Sequence, residues 1–247
     1  MPINAMIFDL DGTLLQTEKL KALSYAKAAV ELCPRTITED EVLEAFKEVV
    51  GLSRREVATK LMHRFDLHEK AHARQEAFGV TSGWQAFVQV RLNYYNDLIS
   101  DPNTLRTNQW AHNISLLEAA RAQGCITALA TMSHCEQVTR ILDVLDMHDR
   151  FDFVATRDDV EHGKPDPEIY NLVADELSLQ PQNTLVIEDS PSGAQAALNA
   201  GMHVIAVATP FTKEGLYKLS DLDHHFIVEN PADELLPRVR EFVADFA

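Results

Sequence analysis

The chain has 247 residues, 46% of them hydrophobic, which is enough to bury the core of one large domain or of two smaller ones. Its formal net charge of -16 argues against a nucleic acid or an anionic membrane as partner, because either would require a broad basic surface. The odd number of cysteines, the lack of a basic leader and the lack of an apolar run that could span a bilayer favour a cytoplasmic protein with reduced thiols.

The first predicted element is a short strand, Ala5-Met6-Ile7-Phe8, which is followed by two carboxylates. Because side chains alternate along a strand, Asp9 and Asp11 point to the same side, and Gly12 then lets the chain turn. Neighbouring carboxylates remain ionised only beside a cation or hydrogen-bond donors, and proteins hold Mg²⁺ with such carboxylates and substrate phosphate. The segment therefore indicates a phosphate site with one aspartate as nucleophile and one as proton carrier; a surface turn is the alternative for this segment alone.

The next stretch, residues 16–103, has only helical patterns. A helix is predicted from Thr17 to Leu32, and Thr38–Glu41 and Ser53–Glu56 have the spacing of capping boxes that begin two more. The predicted helices after the first one cover residues 42–50, 57–65, 69–78 and 84–99. Because this block is too long for a simple connection between two core elements, we expect it to be an all-helical domain of its own.

From residue 104 onward, predicted helices and strands alternate. The strands are continuously apolar, which is typical of a parallel sheet covered by helices on both faces. They cover residues 125–131, 151–155, 184–189 and 203–208, with an edge strand at 226–228. We therefore predict an α/β fold in which residues 1–15 and 104–247 form a Rossmann-like core and residues 16–103 form an inserted all-helical domain.

Polar residues follow several of the predicted strands, at the edge where such sheets bind ligands. Each has an ordinary structural explanation by itself: Thr131 as a helix cap, the Glu188-Asp189 pair as a turn, and Lys164 as a solvated charge. With Asp9 and Asp11 they form two acidic pairs, a hydroxyl and a cation at one edge of the predicted sheet. The combination favours a phosphate site over the separate explanations.

This set of residues, in this order, resembles the haloacid dehalogenase-like hydrolase superfamily, in the branch of β-phosphoglucomutase and small-metabolite phosphatases. Four motifs that span the predicted core carry the resemblance. They are Asp9-Leu10-Asp11-Gly12-Thr13, Ala130-Thr131-Met132-Ser133, Gly163-Lys164-Pro165-Asp166-Pro167 and Ile187-Glu188-Asp189-Ser190-Pro191-Ser192-Gly193. The resemblance implies a phosphoric monoester hydrolase with Mg²⁺ as its cofactor, and the presence of Asp11 implies phosphate esters rather than haloacids as substrates.

The resemblance also implies roles for the matching residues. Asp9 is expected to be the nucleophile that forms an aspartyl-phosphate, and Asp11 the general acid and base. Thr131 is expected to hold a phosphoryl oxygen, and Lys164 to screen the nucleophile from the charge of the phosphate. The expected Mg²⁺ ligands are Asp9, the backbone carbonyl of Asp11, Asp189 and, mostly through water, Glu188. The expected substrate-binding residues of the core are Gly12, Thr13 and Ser133.

The helical insertion resembles the mobile cap of the same branch, which closes over the phosphate and excludes bulk water. Within it, Gly51-Leu52-Ser53-Arg54-Arg55 resembles the cap loop that contacts substrate. Two arginines in the first turn of a helix oppose its dipole by roughly a few tenths of a kcal/mol, which a bound anion would offset. Arg54 and Arg55 are therefore candidate substrate-binding residues, with solvation by water as the alternative.

Departures from the family pattern bear on the substrate. Lys21 stands where the mutases of this branch have a histidine, which favours a phosphatase over a sugar phosphomutase. Gln16 and Met132 also depart, and they are the support for a third alternative, a low-turnover regulatory binding protein, against which the complete set of motif residues argues. We expect a small phosphorylated metabolite, a sugar phosphate or a phospho-acid, as substrate; the sequence predicts no oligomeric state. The ten histidines are expected to have surface or packing roles.

Overall fold

The computed structural model describes residues 3–49 and 52–245. In this part of the chain the strands are β1 (Ala5–Phe8), β2 (Ile126–Ala130), β3 (Phe153–Ala155), β4 (Thr184–Glu188), β5 (His203–Val207) and β6 (Ile227–Val228). They form one sheet in the order β3-β2-β1-β4-β5-β6, in which every neighbouring pair is parallel. The predicted α/β fold with a Rossmann-like parallel sheet is confirmed.

The helices of the described residues fall before and after residue 108. The earlier ones are α1 (Thr17–Leu32), α2 (Glu39–Phe46), α3 (Arg54–Arg64), α4 (His68–His72), α5 (Gln75–Phe78), α6 (Gly83–Ser100) and α7 (Pro102–Thr107). The later ones are α8 (Ala111–Ala122), α9 (Cys135–Leu145), α10 (Glu168–Glu176), α11 (Pro191–Asn199), α12 (Lys213–Leu216) and α13 (Pro231–Asp245). None of these helices combines the length and the apolar character that a membrane crossing requires.

The chain divides into two compact units. Met1–Gln16 and Leu105–Ala247 make up the unit that contains the sheet, and Thr17–Thr104 make up a second unit. Every element that lies wholly inside the second unit is a helix, from α1 to α6. That this helical unit acts as a mobile cap stays a prediction.

Both faces of the sheet are buried. Ile7, Ala128 and Val186 lie side by side on β1, β2 and β4 and belong to a core cluster that includes residues of α10 and α11. Phe8 and Ile187, which follow them along the strands and point to the other face, are fully buried as well. Helices α8 and α13 contact the sheet too. Burial on both faces explains why the strands are continuously apolar rather than alternating.

The helical unit has a core of its own, formed by apolar side chains of α1, α2, α3, α4 and α6. Both predicted capping boxes are present. The side chain of Thr38 accepts from the backbone N–H of Glu41, and that of Ser53 accepts from the backbone N–H of Glu56. These caps fix the first turns of α2 and α3 and satisfy backbone donors that a helix start leaves without partners.

Two helices of this unit end earlier than their sequence patterns predict. Helix α2 ends at Phe46 because the next backbone N–H groups bond three residues back, as in Val49 N–H to Phe46 O at 3.0 Å. The expected continuation to residue 50 fails there, and residue 50 itself lies outside the described residues. The helix predicted over 69–78 is divided into α4 and α5. At the junction the backbone N–H of Arg74 also bonds three residues back, to Ala71 O.

Three helices, α7, α12 and α13, have no counterpart among the predicted elements. Helix α13 contains Pro237 in its interior, and an interior proline ordinarily indicates that a helix has ended. Helix α12 is four residues long, which is too short for a periodic apolar pattern to develop. Their absence from the prediction changes neither the sheet nor the site that it carries.

Candidate active site

The predicted site residues lie where three neighbouring strands end. Strands β2, β1 and β4 are adjacent in the sheet and parallel, so their carboxyl ends meet at one edge. Asp9 directly follows β1, Thr131 directly follows β2, and Glu188 is the last residue of β4. Asp9, Thr131 and Glu188 are all buried. The chain therefore brings two acids and a hydroxyl together from positions that are far apart in sequence.

Lys164 joins this edge from the loop before α10. Its ammonium Nζ donates to Asp9 Oδ1 at 2.8 Å, to Glu188 Oε1 at 2.7 Å and to the backbone oxygen of Ala130 at 3.0 Å. These three acceptors use all three hydrogens of the ammonium group. The side chain of Lys164 is 4% exposed, so the contacts are made almost without water.

The charges of this cluster do not balance. Burial raises the pKa of Asp9 to about 8; Lys164 lowers it, and Glu188 and Asp11 raise it further. Burial also lowers the pKa of Lys164, but Asp9 and Glu188 outweigh that effect and hold it well above its ordinary value. We infer that the ammonium stays charged while one cation is too little for several buried carboxylates. Full ionisation of Asp9 thus requires further positive charge.

The same cluster fits a hard divalent cation. One carboxylate oxygen of each of Asp9, Glu188 and Asp189 lies within 4.8 Å of the other two. Gly12 makes room for Asp189: a Cβ on Gly12 would lie 2.3 Å from Asp189 Oδ2, and its φ of +90° is one that other residues rarely adopt. Buried carboxylate oxygens are the ligands that Mg²⁺ prefers, so the residues present suit the predicted cofactor.

Asp11 lies beside the hydroxyls of the second motif. The hydroxyl of Ser133 donates to Asp11 Oδ2, and the hydroxyl of Thr131 donates to the same oxygen at 3.4 Å. The backbone N–H of Ser133 in turn donates to Thr131 Oγ1 at 3.1 Å. The structure thus brings the predicted acid and base next to the predicted phosphate-binding hydroxyl. Met132, between them in sequence, packs against Gly163, where a Cβ would lie 2.9 Å from Met132 Cε.

The loop after β1 is fixed by a buried side chain that the sequence interpretation missed. Asn113 on α8 donates from Nδ2 to the backbone oxygen of Thr13 at 2.5 Å. The hydroxyl of Thr13 points to Asp189 Oδ1 at 3.5 Å. A buried asparagine in a helix gives no sequence signal that distinguishes it from an exposed one, because its partner is 100 residues away.

Tyr170 is a second residue that was missed. It is completely buried on α10, and its hydroxyl donates to Glu188 Oε1 at 3.2 Å. Burial, followed by the charge of Glu188, raises the pKa of Tyr170 well above its usual range, so the hydroxyl is a donor. Its helical spacing with Val173 is typical of a core aromatic residue, and nothing in the sequence separates that role from a polar one.

The predicted substrate-binding arginines lie in the helical unit and have different surroundings. Burial raises the pKa of Tyr25, and the positive charges of Arg91, Arg54 and Lys21 lower it, so three cations lie near one buried tyrosine hydroxyl. Arg55 instead stacks on Trp84, with its guanidinium carbon 5.8 Å from the ring centre. Arg54 therefore belongs to a cationic group and Arg55 does not. Gly51, at the start of the predicted loop, lies outside the described residues.

Residues 68–72 read His-Glu-Lys-Ala-His, which is the spacing of some zinc sites. In the structure the segment is the five-residue helix α4. The side-chain amide of Gln75, oriented by its bonds to Ser82 and Gly83, donates to His72 Nδ1 at 2.9 Å. Over residues 3–49 and 52–245, the one cluster of three or more acidic, histidine or cysteine side chains that could hold a metal is Asp9, Glu188 and Asp189.

Comparison with known proteins shows the family of the chain. The model of the family "Haloacid dehalogenase-like hydrolase" matches residues 6–207. A phosphorylated carbohydrates phosphatase of Thermotoga maritima is 29% identical over 203 residues, 82% of this chain and 84% of that protein. The pyrophosphatase PpaX of Bacillus velezensis is 25% identical over 239 residues, 94% of this chain and 95% of that one. A crystal structure described as a candidate β-phosphoglucomutase of Thermotoga maritima has a TM-score of 0.72 at 27% identity, covering 96% of this chain and 99% of that chain. The chain belongs to the haloacid dehalogenase-like hydrolase family.

Proposed function

We propose that this chain, a phosphoric monoester hydrolase of its family, is a Mg²⁺-dependent phosphatase of a small phosphorylated metabolite and works through an aspartyl-phosphate on Asp9. The observation that carries the proposal is the buried cluster in which Asp9 contacts Lys164 and lies near Asp189. Burying several carboxylates with one cation lowers the stability of a fold, and such clusters are common at functional sites. Phosphoryl transfer gives this cluster a function, because that reaction requires mainly positioning and charge compensation.

In the first half-reaction a carboxylate oxygen of Asp9 forms a bond to phosphorus, and the bond from phosphorus to the ester oxygen breaks. The leaving oxygen takes a proton from the carboxyl group of Asp11. In the second half-reaction a water gives a proton back to Asp11 and attacks phosphorus. The bond to Asp9 then breaks, and inorganic phosphate leaves. The hydroxyls of Ser133 and Thr131 donate to Asp11 Oδ2 and so stabilise the ionised carboxylate, the form that accepts the proton of water in the second half-reaction.

Charge compensation falls to the residues around the nucleophile. Lys164 lies against Asp9 and so offsets the charge of an approaching phosphate. Thr131 and Ser133 would offer hydroxyls to phosphoryl oxygens, and Gly12 and Thr13, in the turn beside Asp189, are the other proposed substrate-binding residues of the core. Asp9, Asp189, the backbone carbonyl of Asp11 and, mostly through water, Glu188 would hold Mg²⁺, whose charge would neutralise that of the carboxylates and of the phosphate.

The substrate class is proposed from two independent features. One relative, at 29% identity, is named as a phosphatase of phosphorylated carbohydrates. In addition, Arg54 lies in a cationic group with Lys21 and Arg91 although the whole chain has a net charge of -16, which supports a substrate with an anionic group besides the reacting phosphate. We propose that residues 16–103 act as the cap that recognises it. No nucleic acid or membrane is proposed as partner, and the proposed location is the cytoplasm.

A sugar phosphomutase of the β-phosphoglucomutase type is the second candidate, because a protein described as a candidate for that activity is 27% identical. Lys21, in place of the histidine of the mutases, favours the phosphatase. The two differ in product: a mutase returns the phosphoryl group to a sugar, whereas a phosphatase releases it as inorganic phosphate. A regulatory binding protein with little turnover is disfavoured, because it would have no use for Asp11 beside Asp9.

The deciding experiment measures phosphate release from a panel of sugar phosphates and phospho-acids, with Mg²⁺ or with EDTA. We expect metal-dependent release, and a loss of at least about a thousandfold in Asp9→Asn because the nucleophile is absent. Asp143→Asn, which removes an exposed carboxylate on α9, is the matched control and should retain full activity. Full activity in Asp9→Asn would show that Asp9 is not the nucleophile. A labelled phosphoryl group retained on a sugar product would favour the mutase.

A further inference from the structure

Both carboxylate oxygens of Glu188 already accept hydrogen bonds from the protein. Its Oε1 accepts from Lys164 Nζ at 2.7 Å and from the Tyr170 hydroxyl at 3.2 Å. Its Oε2 accepts from the backbone N–H of Asp189 at 2.9 Å and from both the backbone N–H and the hydroxyl of Ser190, at 2.9 Å and 3.0 Å. Five donors from the protein thus meet a group with about four acceptor sites.

The space around Glu188 is equally full. A Cβ on Gly193 would lie 1.7 Å from Glu188 Oε1, so α11 approaches the carboxylate as closely as a glycine permits. The side chain of Glu188 is 1% exposed. To bind a metal directly, Glu188 would have to give up one of the bonds that hold it, and neither oxygen has room to turn.

Tyr170 contacts both members of the Lys164–Glu188 pair. Its ring centre lies 5.0 Å from Lys164 Nζ, close enough for the ring to attract the ammonium group. Its hydroxyl binds the same Oε1 that accepts from Lys164. The ring of Tyr170 belongs to the same core cluster as Ile169 and Val173, and a phenylalanine ring would fill the same space. The hydroxyl is therefore accounted for by its place beside the Glu188–Lys164 pair, where it donates to Glu188 Oε1 and also interacts with Lys164.

We propose that Tyr170 is a positioning residue that holds Glu188 against Lys164, and that Glu188 fixes the ammonium group beside Asp9 instead of binding the metal. The metal would then be held by Asp9, Asp189 and the Asp11 carbonyl. The proposal rests on the proposed function, because it assigns Lys164 a place next to the nucleophile. It departs from the expectation that Glu188 belongs to the metal site, to which it was expected to contribute mostly through water.

The first test is metal binding without turnover. Mn²⁺ serves as the probe, and its dissociation constant is measured by electron paramagnetic resonance for the wild type, Glu188→Gln, Tyr170→Phe and Asp189→Asn. Loss of a true ligand should weaken binding at least about tenfold, so Asp189→Asn provides the reference. We expect Glu188→Gln and Tyr170→Phe to stay within about threefold of the wild type. If Glu188→Gln weakens Mn²⁺ binding as much as Asp189→Asn does, Glu188 is a ligand and the proposal is wrong.

The second test is positioning. Tyr170→Phe keeps the ring and removes only the hydroxyl, and with p-nitrophenyl phosphate as substrate it should lower kcat about tenfold with KM unchanged. Val173→Ala, a cavity in the same helix and core cluster, is the control for destabilisation and should leave kcat near that of the wild type. A kcat of Tyr170→Phe equal to that of Val173→Ala would contradict the positioning role.

Beryllium fluoride supplies a readout of positioning that needs no turnover. As a phosphoryl mimic bound at Asp9 it should be held by the ammonium of Lys164, so its affinity should fall about tenfold in Tyr170→Phe and remain in Val173→Ala. Unchanged affinity in Tyr170→Phe would overturn the proposal. Failure of the proposed function looks different: the wild type itself would then neither hydrolyse the phosphate ester nor bind beryllium fluoride at Asp9.

Discussion

At the scale of single residues, the site is defined by one buried cation shared between two carboxylates. Lys164 contacts both Asp9 and Glu188. Because Asp9 follows β1 and Glu188 ends β4, the lysine bridges two neighbouring strands at their carboxyl ends. The position of Asp9, the proposed nucleophile, thus depends on a contact between loops that are more than 150 residues apart.

The raised pKa of Asp9 predicts how pH and metal act together. The pKa is about 8 in the folded chain against 3.8 ordinarily, so the folded state binds more protons than the unfolded state between these values. Stability from this group is present at low pH and is lost as pH rises towards about 8. Since Mg²⁺ binds the ionised form, the rise in Tm that it causes should be larger at about pH 8 than at about pH 6.

Thermal unfolding in Mg²⁺ and in EDTA at both pH values measures this linkage. In Asp9→Asn the titrating group is gone, so the Tm difference between Mg²⁺ and EDTA should lose its dependence on pH. A wild-type difference that stays constant, or shrinks as pH rises, would contradict the assignment of Asp9 as a buried carboxyl with a raised pKa.

Gly193 allows a prediction about steric fit. A Cβ at this position would lie 1.7 Å from Glu188 Oε1, so Gly193→Ala should displace Glu188 or α11. We expect a loss of about 1 to 3 kcal/mol in the free energy of unfolding, and a fall in kcat. Ser192→Ala changes the exposed neighbour in the same helical turn. It should change both the free energy of unfolding and kcat much less than Gly193→Ala does. Urea unfolding and steady-state kinetics check both variants.

At the scale of elements, the parallel strands explain most of what the sequence could predict. An apolar strand that ends in a polar residue contributes to the ligand edge, and this rule alone brings Asp9, Thr131 and Glu188 together. Lys164 is different: it lies on a loop, and the family resemblance rather than periodicity pointed to it. The hydrogen-bonding roles of Tyr170 and Asn113 could not be predicted, because their partners are distant in sequence and the apolar patterns of their helices give no sign of them.

Helix boundaries were predictable where side chains cap them and less so elsewhere. The capping box at Thr38 begins α2 as expected, whereas the end of α2 at Phe46 depends on backbone bonding that has no side-chain signal. Pro237 inside α13 is a local signal that tertiary packing overrides: α13 contacts α8, β5 and β6, and Leu235 and Val239 are buried. Local chemistry fixes starts better than ends.

The cap at Thr38 predicts a purely structural effect. Thr38→Ala removes the acceptor for the backbone N–H of Glu41 and should cost about 1 kcal/mol of unfolding free energy. The neighbouring Thr36→Ala, at an exposed position outside the helix, should cost much less. Neither variant should change kcat on p-nitrophenyl phosphate. A large kinetic effect of Thr38→Ala would show that α2 is coupled to the chemistry.

At the scale of the whole molecule, the chain separates into a sheet unit with the reacting groups and a helical unit with its own core. The net charge of -16 makes the cations near Tyr25 more notable, because the chain as a whole repels anions. Under the proposed function, the sheet unit carries out the reaction and the helical unit selects the substrate.

Arg54 tests that division. Arg54→Ala should raise KM for the preferred phosphorylated sugar by about tenfold and leave hydrolysis of p-nitrophenyl phosphate nearly unchanged, because the latter has no second anionic group. Arg64→Ala, at the other end of α3 where the arginine pairs with Glu48, is the charge-matched control and should change neither. Equal effects of Arg54→Ala on both substrates would place its role in folding or chemistry, and no effect on either would remove it from substrate recognition.

The buried Asp9 also sets a limit on how the protein can be improved. Above about pH 8 and without metal, a neutral amide at this position is easier to bury than a carboxylate, so Asp9→Asn should unfold at a higher temperature than the wild type. Selection for heat resistance alone would therefore favour substitutions of Asp9, which the proposed mechanism predicts to be inactive. Engineering for thermal stability must therefore measure catalytic activity as well as Tm, because a screen for Tm alone would select a stable protein without activity.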